Sequence, residues 1–309
     1  MPYGNDFMKG RWEPEITARI LEPPDRPLDE VVHFCSVLEG RRVRNAARSV
    51  AWLFYELTTL PPKIVGEINT NELVLATSRF VAEVFRDAGV TVPVRVMGHG
   101  YDPSVYTYWP RRLEGRFEFL CVAEHTTRKN LPMLIACFER AFGGRKDVRL
   151  TLKLATHGEK ELRNLIGDPE RIRLVTDHLD EEWQLAELYH GAHCFVLPTR
   201  GEGFGMPMLE AMATGLPVMV TDVGGHMDFA SASTAYLIRN RGFVESDPEC
   251  FPHLSSRWAD PDPDHLIALM REVVEDYESA RARAAEAWKV IKDDWTWDAQ
   301  LAKEYPGDS

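Results

Sequence analysis

The sequence lacks the features of several protein classes. No stretch approaches the roughly 18 consecutive apolar residues of a membrane-spanning helix, and the N-terminus shows no secretory hydrophobic region. The five cysteines are scattered and form no C-x-x-C pair, which argues against a disulfide framework and for a reducing compartment. We therefore expect a cytoplasmic protein, or one that is peripheral to the inner face of a membrane.

Positively charged residues are also fewer than negatively charged ones. The chain has 36 Lys and Arg against 48 Asp and Glu, a formal net charge of -12. Because such a surface repels phosphate backbones on average, we expect no nucleic-acid partner. One basic cluster, made of Arg41, Arg42, Arg44 and Arg48, precedes an apolar run at 52–55. It is either a solvated face or an acceptor-side or membrane-surface patch.

Apolar runs alternate with helical patterns along most of the chain. The 309 residues suggest two domains at about 100–200 residues each, and 44% hydrophobic residues are enough for a packed core. Strands are predicted at 31–37, 50–54, 73–76, 92–97, 117–122, 148–154, 172–175, 194–198 and 217–221. Helices are predicted at 79–87, 131–142, after 158, and at 181–189, 206–214, 264–277 and 279–293.

This alternation predicts an α/β fold with parallel sheets, in which ligands bind beyond the carboxyl ends of the strands. A turn-rich stretch at 99–103 is suited to join two domains. We predict an N-terminal domain over residues 1–103, with residues 1–30 largely irregular. A C-terminal domain follows over residues 104–289, and a last helical segment over residues 290–309 crosses back to the first domain.

A glycine-rich loop between a predicted strand and helix is the most informative segment. Gly201, Gly203 and Gly205 allow backbone N–H groups to approach a bulky anion. Pro207 suits the first turn of a helix, where a missing N–H costs nothing. The helix start then directs N–H groups and positive dipole at the loop, which is an arrangement suited to a diphosphate.

Two carboxylates flank this junction, Glu202 in the loop and Glu210 in the helix. Carboxylates beside an anion site can accept hydrogen bonds from sugar or ribose hydroxyls. Glycine spacing alone is equally compatible with a structural turn followed by a helix-capping Glu, so the glycines by themselves do not decide between the two.

The full string is more specific. Glu202 to Glu210 resembles the E-x7-E signature of family 4 glycosyltransferases of the GT-B fold, and the string P-V-M-V-T-D-V-G-G at 217–225 resembles the segment next to that signature in the family. A-T-S-R-F at 76–80, G-H-G-Y-D at 98–102 and R-K-N at 128–130 resemble, in order, a strand-to-helix junction, the interdomain turn and a basic phosphate loop. Trp297 resembles the segment that crosses back. The resemblance covers roughly residues 50–305.

The resemblance implies two Rossmann-like parallel-sheet domains facing a cleft. It also implies a retaining hexosyltransferase that uses a nucleotide sugar, such as a UDP- or GDP-hexose, with polysaccharide assembly as the common role. The acceptor would be a glycan, a lipid-linked molecule or a small molecule. The family generally needs no metal or other cofactor, because basic side chains and a helix dipole stabilise the leaving phosphate.

Roles for single residues come from the same resemblance. Glu202 would contact the hydroxyls of the donor sugar, and Glu210 would bind the ribose. Lys129, with Arg128, would neutralise the diphosphate as it leaves. The remaining residues expected at the donor are Thr199, Gly203, Phe204, Gly205 and Met206.

Three positions depart from the family pattern or are ambiguous. An Arg is frequent five residues before the loop Lys, but Glu124 stands there, so that Arg128 has to supply the guanidinium. Glu56 is either a site residue on the sugar or acceptor side or a surface carboxylate. His99 is either a site residue or a structural part of its turn.

The first domain is also short for the family, with only a weak substitute for the usual glycine-rich loop at residues 2–5. This favours an alternative function, a catalytically degenerate subunit that binds a nucleotide sugar or regulates a partner. His190, His193 and Cys194 look like metal ligands, but they straddle a helix end and a buried strand, so we predict no metal site there.

Overall fold

The computed structural model describes residues 28–154, 159–247 and 256–304. Two parallel sheets and one antiparallel hairpin make up its β structure. The strands are β1 Leu28–Ser36, β2 Ala46–Phe54, β3 Leu73–Ala76, β4 Val94–Val96, β5 Phe117–Ala123, β6 Val148–Leu154, β7 Ile172–Val175, β8 Cys194–Leu197, β9 Val218–Thr221, β10 Tyr236–Ile238, β11 Asn240–Glu245 and β12 Arg257–Pro261.

The helices connect successive parallel strands, as the alternating pattern predicts. They are α1 Pro62–Ile68, α2 Arg79–Asp87, α3 Leu131–Phe142, α4 Glu159–Arg163, α5 Glu182–His190, α6 Met206–Ala213, α7 Pro263–Glu275, α8 Tyr277–Ile291 and α9 Trp297–Glu304. Several begin at side-chain caps that the sequence displays. Ser78 accepts a hydrogen bond from the N–H of Val81, and Asp262 accepts from those of Asp264 and His265.

The first sheet has the order β1-β2-β3-β4. Alternate residues of β2 and β3, among them Leu53 and Val74, join α1 and α2 in one hydrophobic cluster. Val50 and Leu75 point to the other face, where they form a smaller cluster with Met97. The period of two along these short strands therefore separates two apolar faces.

The second sheet has the order β10-β9-β8-β5-β6-β7. Its central strands β5, β8 and β9 are buried along their whole lengths, which explains their continuous apolar runs. The order reverses between β5 and β8, so the connections after these two strands turn to opposite sides. A crevice opens at their carboxyl ends, and this is where open α/β sheets bind ligands.

Most predicted elements are confirmed within one or two residues, and several were missed. Residues 28–30, which were expected to be irregular, belong to β1, while Val37 lies in a short 3-10 helix rather than in the strand. Neither α1 nor the strands β10, β11 and β12 were predicted. The motif at residues 2–5 and part of the predicted irregular start lie outside the described residues. The predicted domain boundaries stay a prediction.

We call the residues up to 103 the first half of the chain and the residues after 103 the second half. Contacts between these two halves surround the glycine-rich loop. The hydroxyl of Thr77, directly after β3, donates to the carbonyl of Gly203 at 3.0 Å. Arg79 forms an ion pair with Asp228 at 3.0 Å. Trp297, at the start of α9, contacts Trp52 of β2, with ring centroids 6.3 Å apart. The last helix therefore touches the first sheet.

The side chain of Arg111 holds the segment at the start of the second half of the chain. Its guanidinium is buried and donates to the carbonyls of Thr214, Tyr189 and Ala192 at 2.6, 2.9 and 3.1 Å. These carbonyls belong to the ends of two helices and the turn after one of them, where backbone acceptors have no partner within the helix. One side chain thus joins the segment after residue 109 to both helices.

We expect Arg111→Met to lower the free energy of unfolding by about 3 kcal/mol, because several buried carbonyls lose a charged donor. Chemical denaturation of the variant measures the change. The neighbouring Arg112 is exposed, so Arg112→Ala is the matched control and should change stability little. A loss for Arg111→Met no larger than that of the control would contradict this role.

Candidate functional site

The predicted site residues meet at the crevice of the second sheet. Lys129 lies in the connection after β5, and Glu202 lies in the connection after β8. Asn130 between β5 and α3 adopts a positive φ of 60°, and its side-chain amide donates to the carbonyl of Pro198 at 3.3 Å. The two connections are therefore tied together at the point where the strand order reverses.

A buried cluster of charges occupies this point. The ammonium of Lys129 lies 2.5 Å from Oε1 of Glu202, and the guanidinium of Arg128 lies 3.6 Å from the same oxygen. Burial alone would raise the pKa of Glu202, but the two cations outweigh burial and hold the pKa below its usual value. Glu202 is therefore a carboxylate held in place between two cations, rather than a proton donor.

The first half contributes a second carboxylate. Glu56, two residues after β2, places Oε1 3.4 Å from Nη2 of Arg128. Nη1 of the same guanidinium donates to the carbonyl of Gly201 at 2.6 Å. Arg128 thus lies between the two halves of the chain. This places Glu56 at the site rather than on an open surface, with its side chain only 15% exposed.

Two glycines of the loop are required by close backbone packing. A Cβ on Gly201 would lie 2.2 Å from the carbonyl oxygen of Glu56, and a Cβ on Gly203 would lie 2.9 Å from that of Tyr55. Gly205 has a φ of 104° at the N-terminus of α6, a conformation that favours glycine. The loop is therefore held against the end of β2, with its own helix start directed at the crevice.

Glu210 lies one turn inside α6 and is buried. The hydroxyl of Tyr189 donates to its Oε2 at 2.8 Å. Burial, with Glu210 adding to the effect, raises the pKa of Tyr189 well above its usual value, so the phenol remains a donor at neutral pH. Tyr189 was not predicted as a site residue, and nothing in the sequence links it to a carboxylate that is 21 positions away.

The other predicted donor residues are placed in and around the loop. The hydroxyl of Thr199 donates to the carbonyl of Gly201 at 3.0 Å, so Thr199 shapes the loop. Phe204 is buried against the rings of His99 and Trp295. Met206 is half-buried at the first position of α6.

His226 is a site residue that the sequence analysis missed. It is fully buried, and Nε2 lies 2.6 Å from the carbonyl of Thr221, which assigns the ring proton to Nε2. Nδ1 has no hydrogen-bond partner among the described residues. Burial lowers the pKa of His226, although Thr221 and Glu202 raise it, so the imidazole is neutral at neutral pH. Its place directly after Gly224 and Gly225 was the available signal.

His99 lies at the seam between the halves, in a cluster of aromatic rings. Its imidazole is 4.9 to 5.7 Å from the rings of Trp52, Phe34, Phe204 and Trp297. Burial lowers its pKa to about 4. Its ring contact with the loop is with Phe204, which favours the structural interpretation of its turn.

The remaining sequence signals have separate locations. Arg42 pairs with Glu72, and Arg48 pairs with Glu30, so two members of the basic cluster are already neutralised. Glu124, where the family often has Arg, is half-buried directly after β5.

His190 and His193 bind different backbone groups. Nε2 of His190 lies 3.0 Å from the carbonyl of Thr107, and Nδ1 of His193 accepts from the N–H of Glu118 at 3.0 Å. Across residues 28–154, 159–247 and 256–304, no three or more His, Cys, Asp and Glu side chains are grouped to hold a metal ion. Within the same ranges, no helix combines the length and apolarity needed to span a membrane.

Comparison with known proteins agrees with this geometry. Residues 116–249 match the sequence model of the family described as Glycosyl transferases group 1. The lipopolysaccharide core biosynthesis mannosyltransferase LpsB of Rhizobium meliloti is 38% identical over 79 residues, 25% of this chain and 21% of LpsB. The GDP-mannose:cellobiosyl-diphosphopolyprenol alpha-mannosyltransferase of Xanthomonas oryzae is 28% identical over 180 residues, 56% of this chain and 46% of that protein. The chain thus spans less than half the length of either relative.

Solved structures show the same architecture. Anabaena HepE in complex with UDP and glucose superimposes with a TM-score of 0.65 and 17% identity, over 83% of this chain and 70% of HepE. At this identity the likeness concerns the fold. Together with the two parallel sheets, it confirms the GT-B fold predicted from the sequence.

The buried His99 predicts a pH-dependent stability. Its folded pKa of about 4 lies below the value of 6.5 expected without burial, so the unfolded chain takes up the proton first. Stability therefore falls as the pH falls below 6.5. Between pH 7 and pH 5, the wild type should lose about 2 kcal/mol more than His99→Gln. Denaturant titrations of both proteins at the two pH values measure this, and parallel losses would exclude the effect.

Proposed function

Because residues 116–249 match the sequence model of the glycosyl transferases group 1 family, we propose that the chain transfers a hexose from a nucleotide sugar to an acceptor. The acceptor is a glycan, a lipid-linked molecule or a small molecule, and the transfer retains the anomeric configuration without a metal ion. The observation that carries the proposal is the cluster of Lys129, Arg128 and Glu202 at the crevice, beside the N-terminus of α6.

The cations of this cluster suit a diphosphate leaving group. Negative charge develops on the leaving phosphate during transfer, and donors that are already oriented stabilise it most. Glu202 and the carbonyl of Gly201 hold Lys129 and Arg128 in place before any ligand arrives. The N-terminus of α6 adds its dipole and the N–H of Met206, since Pro207 has no N–H and that of Met208 donates to the carbonyl of Gly205. Two fixed cations and a helix dipole supply the charge that a metal would otherwise provide, which is why we propose a metal-independent reaction.

The two carboxylates of the motif bind in this scheme and transfer no proton. Glu202 is ion-paired and stays ionised, and its free lone pairs accept from the hydroxyls of the donor sugar. Glu210 is oriented by Tyr189 and accepts from the ribose. A hydrolase would need an acid and a base on either side of the scissile bond. Retention is inferred from the family resemblance, in which the acceptor attacks from the face of the leaving group.

A second function is supported by Glu124 and by the tight packing of the loop. The acidic residue Glu124 occupies a position where the family often has an arginine. Gly201 packs closely against the backbone of the first half. Both features suit a subunit that binds a nucleotide sugar without turnover. Incubation of the purified chain with radiolabelled nucleotide sugars and simple acceptors distinguishes the two, because only the enzyme releases free nucleotide.

The donor site should be detectable by thermal shift. We expect one of UDP, GDP and ADP, or its sugar form, to raise the unfolding midpoint by a few degrees with EDTA present, since a ligand at 100 times its Kd stabilises by about 2.7 kcal/mol. GDP-mannose and UDP-glucose belong in the panel because of the relatives and neighbours named above. A shift that disappears with EDTA would contradict metal independence, and no shift at all would count against the donor site.

We expect Glu202→Gln to lower kcat about 100-fold or more, because the neutral amide no longer holds the two cations in place. Initial rates with the donor found by thermal shift measure this, at a temperature where circular dichroism shows the variant folded. Glu187 is exposed on α5, so Glu187→Gln should keep the wild-type rate. Normal transfer by Glu202→Gln would disprove the role of Glu202.

A further inference from the structure

The hairpin of β11 and β12 comes after the second sheet in the chain, yet its tryptophan lies in the core of the first half. Trp258 is 4% exposed and packs in a cluster whose other buried members all precede residue 86. On β11, Phe243 and Val244 are exposed, so this strand contributes little buried apolar surface to the hairpin. Because an isolated two-stranded hairpin is at best marginally stable in water, its order depends on its neighbours.

The first of these neighbours is the loop after β2. The N–H of Thr58 donates to the carbonyl of Arg257 at 3.2 Å. The N–H and hydroxyl of Thr59 lie 3.1 and 2.9 Å from the hydroxyl oxygen of Ser256. Both threonines lie within three residues of Glu56. The hairpin therefore fixes the backbone that carries this carboxylate.

The second neighbour is the glycine-rich loop. The N–H of Ala259 donates to the carbonyl of Arg200 at 2.7 Å. The guanidinium of Arg200 lies 5.8 Å from the ring of Trp258 and 3.7 Å from a carboxylate oxygen of Asp260. Arg200 is two residues before Glu202. The strand β12 thus contacts the start of the loop through the N–H of Ala259, the ring of Trp258 and the carboxylate of Asp260.

The third neighbour is the basic loop. The hydroxyl of Thr127, directly before Arg128, lies 2.9 Å from Oδ2 of Asp247. Asp247 lies two residues beyond the end of β11. One hairpin therefore contacts each of the three loops that carry the charged side chains of the site.

We propose that the hairpin of β11 and β12 is a positioning element for the site. It holds the loops of Glu56, Arg128 and Glu202 in one arrangement, with Trp258 as its anchor in the first half. These loops come from both halves of the chain, and Arg128 lies between both carboxylates. A site of this kind works only if its groups stay within about 0.5 Å of their positions, which a shared rigid contact provides.

Hydrogen exchange of the backbone amides tests this without any substrate. We expect Trp258→Ala to raise exchange about tenfold or more in peptides covering residues 56–59, 126–129 and 199–204, while β6 and β9 stay protected. Trp258→Phe should restore most of the protection. Trp183 is 59% exposed on α5, so Trp183→Ala should match the wild type. If exchange rises only in the cluster around Trp258, or evenly along the chain, Trp258 is a packing residue and the inference fails.

A milder variant covers the case in which Trp258→Ala does not fold. Thr127→Val removes only the contact with Asp247, and it should loosen residues 126–129 without changing 56–59. No change at 126–129 would oppose the inference.

A second test, which measures kcat, rests on the proposed function. Here Trp258→Ala should lower kcat at least tenfold at a temperature where it is folded, with recovery in Trp258→Phe. Unchanged kcat with a lower Tm would mean a stabilising role only. A wild type without turnover would refute the proposed function and leave the exchange result to decide this inference.

Discussion

The buried carboxylate of Glu202 places the strongest constraint on this molecule. A charge removed from water is tolerated only beside opposite charge, and Lys129 and Arg128 supply it from a different connection of the same sheet. Arg128 in turn needs acceptors, and it finds them in Gly201 and in Glu56 of the first half. The charge balance at one point thus fixes the relative positions of three loops, and the crevice between β5 and β8 is where the topology lets them meet.

The glycines explain how the loops come so close. Without a Cβ, Gly201 and Gly203 bring their backbone against that of residues 55 and 56, so that a carbonyl and a guanidinium can share a small space. A larger residue at either position would clash with that backbone and force the two segments apart. Aromatic rings around His99 fill the seam on another side of the same loop, through Phe204. Polar contacts on one side and aromatic contacts on the other therefore both hold the glycine-rich loop in place.

Local signals in the sequence were sufficient for much of the fold and for the centre of the site. The predicted helix at 79–87 is confirmed as Arg79–Asp87, where Ser78 caps its start and buried positions recur at helical spacing. The loop and its two carboxylates were found because glycine, proline and acid stand close together in the chain. Tyr189 and Trp258 were missed, since each acts on a partner that only the folded chain brings near. His226 was missed although it directly follows Gly224 and Gly225 in the chain. The hairpin strand β11 was missed for a related reason, because its mostly exposed residues show no apolar run.

The contacts between the two halves include an exposed ion pair and a buried apolar cluster, and these two respond differently to ionic strength. Arg79 pairs with Asp228 while its own side chain is 68% exposed, so dissolved salt screens this pair. Trp258 is buried among apolar side chains, and such burial does not weaken with ionic strength. Salt therefore weakens the ion pair beside Gly224 and Gly225 and leaves the apolar burial of Trp258 unchanged, so the two junctions between the halves respond unequally to ionic strength.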